Sequence, residues 1–309
     1  MKVSDGARDL GYAAAWQMVR TLPQSWAVRL FDAGADRAAR RDDGPMQLRR
    51  NLARVLGVTP GQVPDDLIRD SLRSYARYWR EAFRLPTMNP TAVADEVEAA
   101  ADGVEHATAA LSHGNGVILA LPHSGNWDMA GVWATHRLTT PTVVAERLRP
   151  EALYRRFVRY RESLGFEIIP LDGGAQPPYP LLVERLRQGR LVGLLGERDL
   201  TGNGVPVTFF GEPTRMPAGP ARLAIETGAP LLPVHCWFTP EGWGFSVEAP
   251  LDTSGGLIAT TQRLADRFAA NIAAHPADWH MLQPLWPADR KPRSRRAITH
   301  NADDTSTAS

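Results

Sequence analysis

The sequence predicts an α/β fold with a mixed, largely parallel central sheet flanked by helices, preceded by an N-terminal helical segment that associates with a membrane. A hydrophobic content of 43% over 309 residues is ample for a packed core. From residue 104 onward, short and fully apolar runs alternate with helical stretches, which indicates buried strands connected by helices. The apolar runs cover residues 117–121, 142–145, 166–170, 191–196 and 231–238.

The N-terminal segment contains two apolar-rich helical stretches within residues 8–41. Pro23 separates them, because proline lacks the amide proton that an interior helical residue donates. Tryptophans are interleaved with the basic residues Arg37, Arg40 and Arg41, a composition typical of helices that lie in a lipid interface. A helical cap over the core would contain the same residues, so it remains the alternative interpretation of this segment.

The later elements follow from periodicity and from turn residues. A helix is predicted over 65–85, because apolar residues recur at helical spacing and Pro86 ends the run. Segments 205–210 and 244–248 predict additional strands with closer turns, which would make the sheet mixed at one side. A long helix over 257–274 is expected to return across the sheet.

The predicted domain organisation has three parts. We expect a helical region over residues 1–90 that is continuous with an α/β core over residues 91–287. The remaining residues, 288–309, contain few large apolar side chains, and we expect them to form a disordered tail.

Composition argues against several classes of function. The formal net charge is +1 and no nucleic-acid motif is present, so we expect no nucleic-acid partner. The single cysteine, Cys236, excludes an internal disulfide and a CxxC metal motif, and we expect no metal ion. The sequence contains neither an apolar run of about 18 residues nor a secretory signal pattern. We therefore expect a protein that stays inside the cell without spanning a membrane.

The most informative stretch is residues 119–128, where an apolar strand ends and a helical pattern begins near Asn126. Such strand ends are where α/β sheets bind ligands. Asp128, on the first helical turn, is placed to reach back to the imidazole of His123 and fix its tautomer, as a general base requires. The free amides of the 124–126 turn are candidate donors to a developing oxyanion. The spacing alone is a weak signal, since a structural hydrogen bond would produce the same pattern.

Charged side chains also follow two other predicted strands. Glu197, Arg198 and Asp199 come directly after one strand, an arrangement expected where charges face a cleft or pair with each other. Glu197 is therefore a second candidate to hold His123, and the sequence leaves open which carboxylate does so. Glu146 follows the strand that ends at residue 145, and the helix after it is rich in arginine. Arginine suits phosphate groups, although a solvated helix face is the alternative.

Other chemistries lack their motifs. Ser124 adjoins His123, but the Gly-x-Ser-x-Gly elbow of hydrolases is absent and neighbours on a tight turn pair poorly. No HExxH, phosphate-binding loop or GxGxxG follows a strand. We expect Cys236 to be a packing residue and four histidines to be core or surface residues. These histidines are His113, His235, His275 and His280.

The segment His123-Ser-Gly-Asn-Trp-Asp128 resembles the His-x4-Asp motif of the glycerolipid acyltransferase superfamily, and its wording is similar to the branch that includes the lipid A late acyltransferases. Three more blocks resemble that branch, and with this motif they span roughly residues 100 to 285. Within the branch, the chain is most similar to actinobacterial enzymes that acylate a phosphatidylinositol mannoside. The three blocks are 197–199, 207–211 leading into 217–220, and 223–234.

The resemblance implies an acyltransferase that moves a palmitoyl-type chain from palmitoyl-coenzyme A to a mannose hydroxyl of a phosphatidylinositol mannoside. It implies a peripheral protein at the cytoplasmic face of the plasma membrane, with acyl-coenzyme A as co-substrate and no other cofactor. It also implies that His123 is the base, Asp128 its motif partner and Glu197 a carboxylate in contact with the histidine. The expected substrate-binding residues are Ser124, Asn126, Glu146, Arg161 and Arg198, of which Glu146 and Arg161 come from the resemblance.

One block of the sequence departs from the family pattern, and this departure concerns the acceptor of the acyl group. The Phe-Pro-Glu-Gly block of many glycerol-phosphate acyltransferases is absent, and Leu-Gly-Glu197-Arg stands in its place. A simple glycerol-phosphate acceptor is therefore in doubt, while another glycolipid, a lysophospholipid, or a non-catalytic lipid-binding role remain alternatives. For the acyl chain, candidate lining residues are Trp127, Val132, Trp133 and Leu194, with core packing as the alternative role.

Overall fold

The computed structural model describes residues 16–41, 44–147, 151–200 and 202–289. The part of the first predicted helix before residue 16, and the predicted tail from residue 290 onward, lie outside these ranges. The helices are α1 (Gln24–Ala39), α2 (Met46–Leu56), α3 (Asp65–Arg84), α4 (Pro90–Ala99), α5 (Val104–Ser112), α6 (Trp127–Arg137), α7 (Glu151–Ser163), α8 (Pro178–Arg187), α9 (Gly219–Thr227) and α10 (Gly256–Ala274). The strands are β1 (Ala101–Asp102), β2 (Val117–Leu121), β3 (Pro141–Ala145), β4 (Glu167–Pro170), β5 (Leu191–Leu195), β6 (Val205–Phe209), β7 (Glu212–Met216), β8 (Leu231–Phe238) and β9 (Trp243–Val247).

Seven of these strands form the central sheet in the order β1-β9-β8-β2-β5-β3-β4. Neighbouring strands are parallel except β8 and β9, which are antiparallel. The predicted mixed, largely parallel sheet is therefore confirmed, and β9 makes it mixed at one side.

Side chains of β2 explain why the sheet is covered on both faces. Successive residues of a strand point to opposite faces, and here both sets are apolar. Val117 and Leu119 belong to a cluster with α4 to α7, whereas Ile118 and Ala120 belong to a cluster with α8 to α10. The continuous apolar pattern that predicted buried strands thus corresponds to two hydrophobic layers around one sheet.

The predicted strand over 205–210 does not join the central sheet. It forms β6, which pairs antiparallel with β7 in a separate two-stranded hairpin. The sequence did not predict β7, because its alternate residues are the polar or exposed Pro213 and Arg215. The connecting turn places Phe210 at φ +49° and Gly211 at φ +76°, the left-handed combination that suits tight hairpins.

The N-terminal helices pack on the core through α3. Residues 16–21 are helical, and α1 begins after Pro23, so the predicted break at this proline is confirmed. Trp16 is buried against Phe83 and Phe157. Among the described residues, no helix combines the length and the apolar character that crossing a membrane requires.

Candidate active site

Three adjacent strands bring the predicted site residues to one edge of the sheet. β5 lies between β2 and β3, and the three strands run parallel. His123 follows the end of β2, Glu197 the end of β5 and Glu146 the end of β3. Because carboxyl ends of parallel strands share an edge, the side chains meet at the position where α/β sheets bind ligands.

His123 and Glu197 form a hydrogen-bonded pair. The ring Nδ1 of His123 lies 2.8 Å from Oε1 of Glu197, and the backbone amide of His123 donates to the same oxygen at 2.6 Å. Glu197 is fully buried, whereas 28% of the His123 side chain is exposed. A carboxylate only accepts hydrogen bonds, so the ring proton belongs on Nδ1 and Nε2 keeps its lone pair.

The charge of Glu197 depends on this pair. Burial opposes its ionisation, but the attraction of His123 and the hydrogen bonds from its ring and backbone outweigh burial. Together they hold the pKa of the carboxyl below its usual range. Glu197 is therefore an anion across the physiological pH range.

Of the two carboxylates that the sequence leaves as candidates, Glu197 contacts the His123 ring and Asp128 does not. The first turn of α6 directs its carboxylate towards α3 and α7, where Arg161 Nε donates to Oδ1 at 2.9 Å. Tyr78 and Tyr160 donate their hydroxyl protons to Oδ2 at 3.2 and 3.4 Å. Burial and the nearby Asp128 charge raise the pKa of both tyrosines well above the usual range.

The side chains of Ser124 and Asn126, which the sequence predicts to bind substrate, are enclosed in the protein. Ser124 is fully buried, and Asn126 is 2% exposed. The Asn126 amide donates to Glu81 Oε2 at 2.8 Å, and its oxygen caps α6 by accepting from the Met129 amide. These side chains are enclosed because the loop is packed between β8 and α3, so they shape the loop rather than face a ligand.

Two backbone amides of this loop, those of Ser124 and Gly125, donate within the protein and are not free to hold an oxyanion. The Ser124 amide donates to Pro122 at 2.8 Å, and the Gly125 amide donates to the Asp278 carbonyl at 2.9 Å. The amide of His280 in turn donates to the carbonyl of His123 at 2.7 Å. Residues 278–280 therefore clamp the loop that carries His123, a role that no local sequence pattern indicates.

Behind this clamp lies a buried polar cluster. Ser74 donates its hydroxyl proton to Asp278 Oδ1 at 2.6 Å and lies 2.9 Å from Nε2 of His280. Because Ser74 has one proton to give, Nε2 of His280 is the donor of the second hydrogen bond. Burial, with a smaller contribution from His123, lowers the pKa of His280 to about 3. His280 is thus a neutral buried residue, in agreement with the predicted packing role.

A cavity of about 420 Å³ opens beside His123. Its wall includes two of the predicted substrate-binding residues, Glu146 and Arg198, and a second cation, Arg222. Arg161 does not line this cavity, because its guanidinium is engaged by the buried Asp128. The structure therefore brings Glu146 and Arg198 to His123 but not Arg161.

A narrow apolar slot of about 90 Å³ lies between α6 and the sheet. Val144, Leu194 and Leu195 line both spaces. Of the expected acyl-chain residues, Trp127 and Leu194 line the slot. The other two, Val132 and Trp133, are fully packed in the core instead.

Within the described ranges, no group of three or more histidine, cysteine or acidic side chains is arranged to hold a metal ion. Charged residues that could contact an anionic cofactor or substrate are the arginines of the cavity wall, Arg198 and Arg222. A planar guanidinium is suited to bidentate hydrogen bonds with phosphate.

Comparison with known proteins places the chain in a family. A family model described as bacterial lipid A biosynthesis acyltransferase matches residues 7–288. The phosphatidylinositol mannoside acyltransferase of Mycobacterium tuberculosis (strain CDC 1551 / Oshkosh) is 62% identical over 296 residues, which cover 96% of this chain and 93% of the relative. The protein of the same name from Mycolicibacterium smegmatis is 62% identical over 291 residues, or 94% and 95% of the two chains. The resemblance inferred from the sequence is confirmed: the chain belongs to the bacterial lipid A biosynthesis acyltransferase family.

Proposed function

We propose that this acyltransferase moves a fatty acyl group from acyl-coenzyme A to a mannose hydroxyl of a phosphatidylinositol mannoside, with His123 as general base. The observation that carries the proposal is that His123, paired with Glu197, lines a cavity that shares three lining residues with an apolar slot. A base beside a space with polar and apolar parts suits a hydroxyl acceptor and a fatty chain.

The proposed reaction uses the free Nε2 of His123. This nitrogen takes the proton of the acceptor hydroxyl while the oxygen attacks the thioester carbonyl, and general-base help of this kind typically contributes about 10²- to 10⁴-fold. The tetrahedral intermediate then collapses as its carbon–sulfur bond breaks. The imidazolium returns the proton to the departing thiolate, which leaves an ester and free coenzyme A. Glu197 stabilises the imidazolium between the two proton transfers, because its ionised carboxylate accepts a hydrogen bond from Nδ1–H, with Oε1 2.8 Å from Nδ1.

The proposed acyl site is the slot between α6 and the sheet. Its walls are mostly aliphatic and aromatic, and Val144, Leu194 and Leu195 line both the slot and the cavity. An acyl chain in the slot places its thioester at the cavity beside His123. Burial of a hydrocarbon chain contributes about 0.8 kcal/mol per methylene group to the free energy of binding. A palmitoyl-type chain therefore binds more tightly than a short one.

The proposed acceptor comes from the names of the relatives and agrees with the charges in the cavity. The relatives at 61% and 62% identity are phosphatidylinositol mannoside acyltransferases. Arg198 and Arg222 provide cations for a phosphodiester, and Glu146 provides an acceptor for sugar hydroxyls. Such a lipid requires an enzyme that works at a membrane surface.

We also propose that α1 holds the protein at the cytoplasmic face of the plasma membrane as a peripheral protein. Trp26 and Leu30 are 63% and 51% exposed, and both lie on the helix face that carries Arg37 at helical spacing. Apolar insertion and attraction to anionic lipids act together in such helices. The arginines on the same exposed surface of the segment are Arg29, Arg37, Arg40 and Arg41.

The proposal is tested with purified protein, palmitoyl-coenzyme A and a panel of phosphatidylinositol mannosides, other glycolipids, lysophospholipids and glycerol phosphate. Free coenzyme A and acylated product are measured by mass spectrometry, with His123→Ala as the control for uncatalysed transfer. We expect product on the mannosides alone. Product on a different lipid alone would overturn the acceptor, and absence of product on every acceptor would favour a lipid-binding role.

A further inference from the structure

A second cavity, of about 320 Å³, is lined by residues of the short helix 16–21 and of α7, and we call it the basic pocket. Among the described residues, its wall includes three arginines and no acidic side chain. None of its lining residues also lines the cavity beside His123, so the proposed reaction does not use this pocket. The lining residues are Trp16, Gln17, Arg20, Pro86, Arg156, Arg159, Tyr160 and Ser163.

Arg20 is a partly buried cation that no carboxylate of a described residue pairs with. Its Nε donates to the Phe83 carbonyl at 3.0 Å, and its guanidinium carbon lies 5.6 Å from the centre of the Trp16 ring. Burial opposes the charge and lowers the pKa of Arg20, but a guanidinium stays protonated in proteins. An anion bound in the pocket therefore compensates a charge that the described residues leave unbalanced.

The Trp16 indole is a second group that lacks a partner. Trp16 is 9% exposed, and its Nε1–H has no hydrogen-bond acceptor among the described residues. Buried donors in proteins are nearly always paired. An anionic oxygen held in the pocket would provide the acceptor that this N–H lacks.

The surroundings of the pocket favour a lipid over a free ion. Arginine suits phosphate, because its planar guanidinium donates two parallel hydrogen bonds. Met18 adjoins the lining residue Gln17 and is 51% exposed, and the exposed Trp26 follows on α1. Apolar side chains beside basic ones are typical of a surface that contacts both the headgroup and the hydrocarbon of a lipid.

We propose that the basic pocket binds the phosphate of an anionic phospholipid headgroup, as a lipid site separate from the one that holds the acyl acceptor. Arg20 and Arg159 donate to the phosphate oxygens, and Trp16 Nε1 donates to a third acceptor position of the same group. The proposal goes beyond the proposed reaction and does not depend on it, because the two cavities share no lining residue.

The test measures binding of dihexanoyl phosphatidylglycerol to the whole chain by isothermal titration calorimetry, below the concentration at which the lipid forms micelles. We expect Arg20→Gln to weaken binding at least about tenfold, because a charge-assisted hydrogen bond is lost. Arg159→Gln is a second variant that leaves the Arg20–Phe83 contact intact. It should weaken binding by about two- to fivefold, because Arg159 is exposed and solvent screens its charge.

Two control variants remove the same charge outside the pocket. Arg155→Gln changes another exposed arginine of α7 that does not line the pocket. Arg198→Gln removes a cation of the cavity beside His123. Both should retain the binding that Arg20→Gln loses. An equal loss in Arg155→Gln and Arg159→Gln would show only a general attraction to α7, and a loss confined to Arg198→Gln would place the probe in the cavity beside His123. Either result would overturn the proposal.

Inorganic phosphate and dihexanoyl phosphatidylcholine, a lipid without net charge, serve as comparison ligands. We expect both to bind more weakly than the phosphatidylglycerol. Inorganic phosphate that binds as tightly would overturn the assignment to a lipid, and phosphatidylcholine that binds as tightly would overturn the assignment to an anionic headgroup. Unchanged affinity in both Arg20→Gln and Arg159→Gln, at wild-type thermal midpoints, would refute the pocket as a phosphate site, as would absence of binding to wild type. None of these measurements needs acyl transfer, so a failure of the proposed reaction is recognised separately by the absence of coenzyme A release.

Discussion

The two carboxylates near His123 have separate tasks. Glu197 contacts the imidazole, whereas Asp128 is the centre of a buried cluster with Arg161 and two tyrosines. The motif spacing identified His123 and Asp128 together, but it could not decide which carboxylate pairs with the ring. That choice depends on the direction in which the first turn of α6 points, which is set by packing against α3 and α7.

Substitution of Asp128 by Asn tests this division. The change removes the charge that balances Arg161 inside the protein, and loss of one partner of a buried pair costs about 3–5 kcal/mol. We expect the free energy of unfolding in urea to fall by roughly this amount, with transfer by the folded fraction reduced far less. Unchanged stability with lost transfer would show instead that Asp128 acts in the reaction.

At the scale of elements, strand ends and their loops build the site. The apolar strands and the helices that alternate with them could be predicted from the sequence, because buried strands are apolar throughout. The conformation of the loop 122–126 could be predicted from the sequence only in part. Its enclosure by residues 278–280 and by β8 depends on contacts between distant parts of the chain. The burial of the Ser124 and Asn126 side chains could not be predicted for this reason.

Gly125 has a position in this loop that no other residue can take. Its φ is +57°, and an added Cβ would lie 2.5 Å from the backbone carbon of Cys236 on β8. We expect Gly125→Ala to displace the His123 loop and abolish measurable transfer. Gly57→Ala is the control, because Gly57 has φ +66° but nothing within 4 Å of an added Cβ. Equal effects of the two changes on transfer would contradict the packing argument.

The α1 surface gives a prediction about membranes. Replacing Trp26 by Asn and Leu30 by Gln should weaken binding to phosphatidylinositol-containing liposomes, measured by co-sedimentation, at least about tenfold by loss of apolar insertion. Point changes are preferable to deletion of the N-terminus, since Trp16 and Val19 are buried. Ile258→Gln is the control, because Ile258 is also 63% exposed but lies on α10. Equal binding by the two variants would favour a structural cap.

At the scale of the whole molecule, the fold was predicted more completely than the site. Hydrophobic pattern is a local property, so it predicted the sheet and its covering helices, and the local chemistry of Pro23 predicted the break between the first helices. The hairpin partner β7 and the clamp by residues 278–280 could not be predicted, because each depends on tertiary packing. Buried histidines belong to the same group of features, since the sequence does not say which histidines lose contact with water.

Two buried histidines predict that the protein loses stability in mild acid. Burial lowers the pKa of His235 and of His280 from 6.5 to about 3. Below pH 6.5 these two histidines therefore become protonated in the unfolded chain but stay neutral in the folded chain. As a result, the free energy of unfolding falls by up to about 1.4 kcal/mol per pH unit for each histidine. Replacing His235 by Phe should remove one of these contributions in urea titrations between about pH 7 and pH 5. An unchanged pH slope would show that His235 is not kept neutral by burial.

The central claim is that His123 is the base that transfers the acceptor proton. Its most direct test compares the initial rate of coenzyme A release by wild type and His123→Ala with palmitoyl-coenzyme A and a phosphatidylinositol mannoside, after confirming equal thermal midpoints and equal binding of an S-alkyl coenzyme A thioether. We predict a rate at least about 10²-fold lower in the variant, with folding and binding retained. A folded His123→Ala protein that releases coenzyme A and forms acylated product at the wild-type rate would contradict the account.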